Sequence, residues 1–205
     1  MSTSSIILNE ADLKAWTELV SKGVRNALNG LSDMVGKEIE ISNLEARYIA
    51  IKDVAYLVGG PEQTTAAIYL SVSGAAEGHM IVIYRSETAF ELIDLLLGQD
   101  PGTTDALGEM EISALGEMGN IVGSFFLNAL ADATGLKLRV SPPSVMMDMA
   151  GAILDAVLAE IMLDADEALV MQTSFGTEDM QINGTFLCLP SPSLQTALLD
   201  HWSGE

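Results

Sequence analysis

Apolar residues recur at helical spacing through Leu13, Trp16, Leu19, Val20, Val24, Leu28 and Leu31, and the run stops near Gly36, which predicts a first long helix. A second is predicted over 109–134, just before Gly135. After each helix the pattern shortens. Residues 38–42 and 137–140 predict short strands, and β-rich hairpins follow over 66–84, turning near Gly74, and over 168–189, turning near Gly176. Closing helices are predicted over 87–97 and 193–202, and Trp16 and Trp202 suit packing at the core or its rim. The apolar stretch 146–163 is interrupted by Asp148, Asp155 and Glu160. Those charges exclude a membrane span and predict a buried amphipathic helix, with Met146, Met147 and Met149 on a face turned to a sheet. The expected class is α+β.

The pattern repeats. At an offset of 99 residues Glu18 falls on Glu117, Leu28 and Asn29 on Leu127 and Asn128, Asp33 on Asp132, Gly36 on Gly135 and Ser42 on Ser141. Further on, Gly78 to Asp94 matches Gly184 to Asp200 at an offset of 106, so the second half is about seven residues longer, and the surplus lies in 146–163. Two equivalent halves, about 10–98 and 107–205, predict a pseudo-twofold molecule joined by the turn-rich linker 98–102. Strands of both halves are expected in one layer beneath the long helices, so that the chain is one domain.

Charge narrows the partners. Among 205 residues, 29 Asp and Glu face 9 Lys and Arg, a formal charge of -20 with pI near 4.1. That balance argues against nucleic acid and anionic membranes. Two readings of the acidity stand side by side: an ordinary acidic protein, and one suited to high salt, where a Debye length of about 3 Å at about 1 M quenches self-repulsion. A denaturation midpoint followed from low to molar salt separates them. The first residues lack a basic segment and a long apolar run, so a cytoplasmic location is expected. The one cysteine, Cys188, forms no internal disulfide and suits a packed strand.

Candidate chemistry lies on the second long helix. Ser113, Glu117 and Asn120 fall at i, i+4 and i+7, within roughly 40° of one line at about 100° per residue. Such spacing is equally that of a solvated helix face. No phosphate loop competes: Val58-Gly59-Gly60-Pro61 lacks the required lysine and serine and reads as a turn.

The spacing Ser113-x3-Glu117-x2-Asn120, followed after 22 residues by Pro143, resembles the motif of the CheC, CheX and FliY chemotaxis phosphatases, and the duplicated layout is most similar to CheC. The text Gly116-Glu-Met-Gly-Asn-Ile-Val-Gly123 resembles that family's Glu-Ile-Gly-Asn-Ile core. The resemblance implies hydrolysis of the aspartyl phosphate of a CheY-like response regulator. Asn120 would orient the attacking water, and Glu117 would pair with the lysine beside the regulator's phosphorylated aspartate. Ser113 would shape the approach, and Pro143 would hold a strand-to-helix connection beside the active helix. Mg2+ would belong to the regulator, with no cofactor or metal of the chain's own.

At the matching positions the first half has Lys14, Glu18, Ser21 and Leu44. Only the glutamate survives, and a serine is too short to bridge water and phosphate, so this half is expected to be silent. An alternative is a non-catalytic adaptor that binds the regulator or a CheD-like receptor deamidase. A FliY-like switch component is disfavoured, because such proteins carry a further C-terminal module that this chain is too short to contain.

Overall fold

The computed structural model describes residues 10–161, 167–178 and 180–191, together with 194, 196, 197 and 200. Its elements run α1 (Glu10–Val35), β1 (Glu40–Ala50), a 3-10 turn (Ile51–Asp53), α2 (Val54–Leu57), β2 (Thr64–Gly74), β3 (Gly78–Arg85), α3 (Ser86–Leu97), α4 (Glu109–Thr134), β4 (Leu138–Val140), β5 (Ser144–Met149), α5 (Ala150–Ile161), β6 (Glu167–Thr177) and β7 (Met180–Pro190). Both long helices stop at a glycine in the left-handed region, Gly36 and Gly135, each at φ 67°. Each of these glycines returns its N–H to the helix, to Ser32 and Ala131 respectively.

All seven strands join one antiparallel sheet in the order β1-β6-β7-β3-β2-β4, with β5 also on β2. The central pair sets Ile81 of β3 opposite Leu187 of β7, which are equivalent positions at the 106-residue offset. From that pair outward the order reads alike in both directions: the opening strand of each half lies against the hairpin of the other. The strands therefore share one layer, and a cut at the linker would separate paired strands.

Alternation along the strands feeds a core on each face. Ile68, Leu70, Met80, Val82, Phe175 and Phe186 meet α1, α3 and α4 on one side. Ala67, Ile81, Ile83, Val170 and Leu187 meet α2 and α5 on the other. The long helices lie antiparallel and close, because α1 presents glycines to α4. A Cβ on Gly23 would come within 3.3 Å of the Phe126 backbone, and one on Gly30 within 2.8 Å of the Phe125 ring. Cys188 is buried in β7, and that burial pushes its thiol pKa well up, so it packs rather than reacts.

Two expectations need correction. The opening strand runs 11 residues, well beyond the expected 38–42. The stretch 146–163 begins as strand: Val145, Met146 and Met147 are half-buried in β5, paired with β2, and the helix starts only at Ala150. Met149 is 48% exposed. The β2 edge takes up this apolar run as a partner before its helical tendency prevails. Residues 162 and 163, most of the closing helix expected over 193–202, and the packing expected of Trp16 and Trp202 lie outside what is described.

Candidate functional site

The second long helix owes its placement to what it lacks on its inner side. Ala114, Leu115, Met118, Gly119, Gly123 and Phe126 are buried. Gly119 and Gly123 let α4 settle onto β2: a Cβ on Gly119 would stand 2.6 Å from the Ile68 side chain, and one on Gly123 2.9 Å from Leu70. At the helix start Glu111 accepts the Gly108 N–H at 2.9 Å, satisfying a donor of the first turn.

With that face buried, the opposite one is set by helical geometry. Ser113, Glu117 and Asn120 are all exposed and share it, and Ser124 continues the line. Pro143 borders the stripe on its Asn120 side, half-buried, 3.2 Å from a Cβ on Gly119 and 3.8 Å from one on Gly116. It does so from the connection between β4 and β5, a strand-to-strand turn and not the expected strand-to-helix one. The ring still braces the helix beside the polar stripe.

The matching positions of the first half form no such stripe. Ser21 is 8% exposed, and its hydroxyl donates to the Thr17 carbonyl at 2.6 Å, one turn back on its own helix. Glu18 projects into solvent 4.0 Å from Lys14, an exposed i,i+4 pair of little energetic weight. Leu44 sits half-buried on β1, far along the sheet from Pro143 on the β2 side. The structure thus brings together Ser113, Glu117, Asn120 and Pro143, and leaves Lys14, Glu18, Ser21 and Leu44 without a shared polar surface.

Met110, 59% exposed, was not singled out by the sequence reading. It lies three residues before Ser113, on the Glu117 side of the stripe. Its signal was an apolar residue out of phase with the buried face of α4. Among the described residues no group of three His, Cys, Asp or Glu side chains lies together as metal ligands, and no helix is long and apolar enough to cross a membrane. His79 is a half-buried residue of β3, stacked on Tyr69 against the face of the sheet opposite α4, so it has no access to Ser113.

The seat of α4 predicts a contrast between two glycines. Gly119→Ala adds a methyl 2.6 Å from Ile68, which is wholly buried and has no room to swing. About 1–3 kcal/mol of overpacking then exceeds the gain of about 1 kcal/mol from replacing a helical glycine. Gly116→Ala meets nothing nearer than 3.8 Å and keeps that gain. Denaturant midpoints should fall for the first variant and hold or rise for the second. The reverse order would contradict the close approach of α4 to β2.

A model of the CheC-like family matches residues 110–147, a span that contains Ser113, Glu117, Asn120 and Pro143. The chain is 29% identical over 176 residues to "CheY-P phosphatase CheC" of Bacillus subtilis, covering 85% of this chain and 84% of that one. In three dimensions it resembles FliY of Thermotoga maritima at a TM-score of 0.77 and 16% identity, over 97% of this chain and 99% of that chain. It also resembles the FliM middle domain of H. pylori at 0.69 and 14% identity, over 94% and 99%. The fold is therefore one shared by CheC-like and flagellar proteins. The family match thus includes the exposed stripe of α4, and the sequence likeness to the Bacillus subtilis protein extends over most of both chains.

Proposed function

We propose that the protein hydrolyses the aspartyl phosphate of a CheY-like response regulator, with one working site on α4. The observation that carries this reading is the exposure of Glu117 and Asn120 on one face of a helix held rigid by its buried glycines and by Pro143. The relative named CheY-P phosphatase CheC supports the choice of substrate.

Hydrolysis of an acyl phosphate asks little covalent work of a catalyst. Water attacks phosphorus in line with the departing carboxylate; the new P–O bond forms as the bond to the aspartate oxygen breaks, releasing inorganic phosphate and a free carboxylate. Positioning and electrostatic stabilisation supply the rate. The Asn120 carboxamide suits that task, since its oxygen accepts from the water while its amide donates to a phosphoryl oxygen. Glu117, on the same face, engages the regulator's lysine through a charge-assisted hydrogen bond and serves as a docking group more than as a base. Ser113 lies one turn earlier and shapes the approach, and Met110 offers an apolar contact at the rim. Any Mg2+ is held by the regulator.

In this reading the chain is built of two repeats of which the first is silent, because the Ser21 hydroxyl is engaged by its own helix and turned away from solvent. The test is a time course of aspartyl-phosphate loss from a phosphorylated receiver domain, with and without the protein, at low and at molar salt. Acceleration is expected. A regulator that binds but loses phosphate at its own rate under both conditions would leave an adaptor, for the regulator or for a CheD-like deamidase, as the surviving reading.

A further inference from the structure

The face of the sheet turned away from α4 is unevenly covered. Beside β2 and β5 it carries α5, 12 residues long, whereas near β6 and β7 the cover passes to α2, which has 4. Where that cover stops, a cavity of about 390 Å³ opens over the strands, with Leu57 and Val58 in its wall. Its floor follows one row of paired positions across four strands: Glu45, Gln172, Thr185 and Ile83. The size falls within the range of small-molecule sites, about 300–1,000 Å³.

Hydrogen bonding on that floor is incomplete. Ser21, Thr65, Asp94 and Thr185 are the buried polar side chains among the described residues, and the first three have protein partners. Ser21 donates to the Thr17 carbonyl, Thr65 donates to the Asp148 carbonyl, and Asp94 accepts backbone N–H groups. Thr185 is 4% exposed and lines the cavity, and among the described residues its hydroxyl has no partner. A buried hydroxyl is rarely left so. At the equivalent position of the other hairpin, 106 residues earlier, His79 meets the Tyr69 hydroxyl at 2.8 Å, so that hairpin has its polar pair complete.

The groups around Thr185 are set to donate. Arg47 donates to Gln172 Oε1 at 2.9 Å, which leaves the Gln172 Nε2 as a donor. Ser174 donates to Asn183 Oδ1 at 2.6 Å, leaving Nδ2 in the same way. Arg85 gives its Nε–H to the Val58 carbonyl at 3.0 Å, so the guanidinium is fixed at the wall with its two terminal nitrogens over. Glu45 stands exposed on β1, three strand spacings from β3, or about 14 Å at about 4.8 Å each. Among the described residues neither Arg85 nor Glu45 is in an ion pair. The geometry points to a binding site for a small zwitterion of amino-acid size, its carboxylate on Arg85 and the donors of Gln172, Asn183 and Thr185, its ammonium toward Glu45. A planar guanidinium takes a carboxylate through two parallel N–H bonds, and Leu57, Val58 and Ile83 offer an apolar wall to a short side chain. The cavity and the α4 stripe lie on opposite faces of the sheet, so the inference stands apart from the phosphatase reading.

The test is titration calorimetry and melting of the full chain with each of the common amino acids, every one tried beside the carboxylate that lacks its amine, and with inorganic phosphate. At least one amino acid should bind saturably, raise the melting temperature and bind more tightly than its deaminated counterpart. Arg85→Gln should weaken that binding at least about tenfold. Thr185→Val, close in shape, should weaken it several-fold, yet hold or raise the melting temperature of the free protein, because it removes a hydroxyl that has no partner. Failure of every amino acid to bind overturns the inference, and so does binding indifferent to both substitutions. A marked fall in melting temperature for Thr185→Val would show the hydroxyl to be satisfied within the protein, and overturns it as well. Phosphate or a deaminated carboxylate that binds as tightly as any amino acid overturns the assignment of the ligand's class.

Discussion

Asn120→Ala should slow dephosphorylation of a CheY-like regulator by on the order of 100-fold or more, the scale for deleting one positioned polar group from a catalytic site. Asn120 is exposed on α4, so its truncation removes no core contact and the fold should melt as the wild type does. In the proposed arrangement Glu117 and Met110 would still dock the regulator, and the loss should therefore fall on kcat with KM little changed. Ser21→Ala is the matched control. Its hydroxyl donates to the Thr17 carbonyl on its own helix, so dephosphorylation should proceed at the wild-type rate. Rates for Asn120→Ala within a few-fold of wild type would remove the carboxamide from the mechanism. A loss from Ser21→Ala as large as that from Asn120→Ala would mean that the first half is not silent.

The polar stripe was legible because a helix is the element whose spacing translates most directly into a shared face. That Ser113, Glu117 and Asn120 lie together needed only the period, while singling them out from a solvated face needed the motif resemblance, and Gly135 marks the end of α4 in sequence as in structure. The loss of the carboxamide at Ser21 was legible too, but the burial of that serine depends on what packs against α1, which no local pattern encodes. Strands were harder to read. In β1 the polar Asn43, Glu45 and Arg47 alternate with Leu44 and Tyr48, yet the irregularity after Ile41 shifts the phase and hides the continuation. In β5 the run Val145 to Met149 has no clear period, and only its pairing with β2 decides it. The symmetric strand order was invisible for the same reason: pairing between distant segments is a tertiary fact.

That order bears on how the stripe is held. The seat of α4 draws on both sides of the linker: β2, carrying Ile68 and Leu70, precedes it, while α4 and Pro143 follow it. The hairpin of β2 and β3 is thus part of the floor on which α4 rests, whatever the chemistry of the first half.

The connection between the halves is held by one buried carboxylate, and its removal should be the costliest polar substitution in the chain. Asp94 of α3 is 1% exposed, and among the described residues no salt bridge reaches it. Its Oδ2 accepts the N–H groups of Gly102 at 2.7 Å and Thr103 at 3.1 Å, and its Oδ1 accepts that of Thr104 at 2.9 Å. Burial, the largest single influence, pushes the carboxyl pKa up. The hydrogen bonds from Thr104, Gly102 and Thr103 together outweigh it and hold the pKa below the usual aspartate value. Asp94→Ala removes that acceptor from three backbone donors at once, a loss of about 3 kcal/mol at neutral pH. Because the folded pKa lies below the unfolded one, near about 3.9, the carboxylate's contribution is fully present above that value and is lost as pH falls through the folded pKa. The gap in denaturant midpoint between wild type and Asp94→Ala should therefore be widest at neutral pH and narrow under acid. Asp94→Asn, equal in size but not ionisable, should show the same narrowing. A gap that stays constant from neutral to acid pH would mean that the charge is not what binds the linker, and that Asp94 is held there by packing alone.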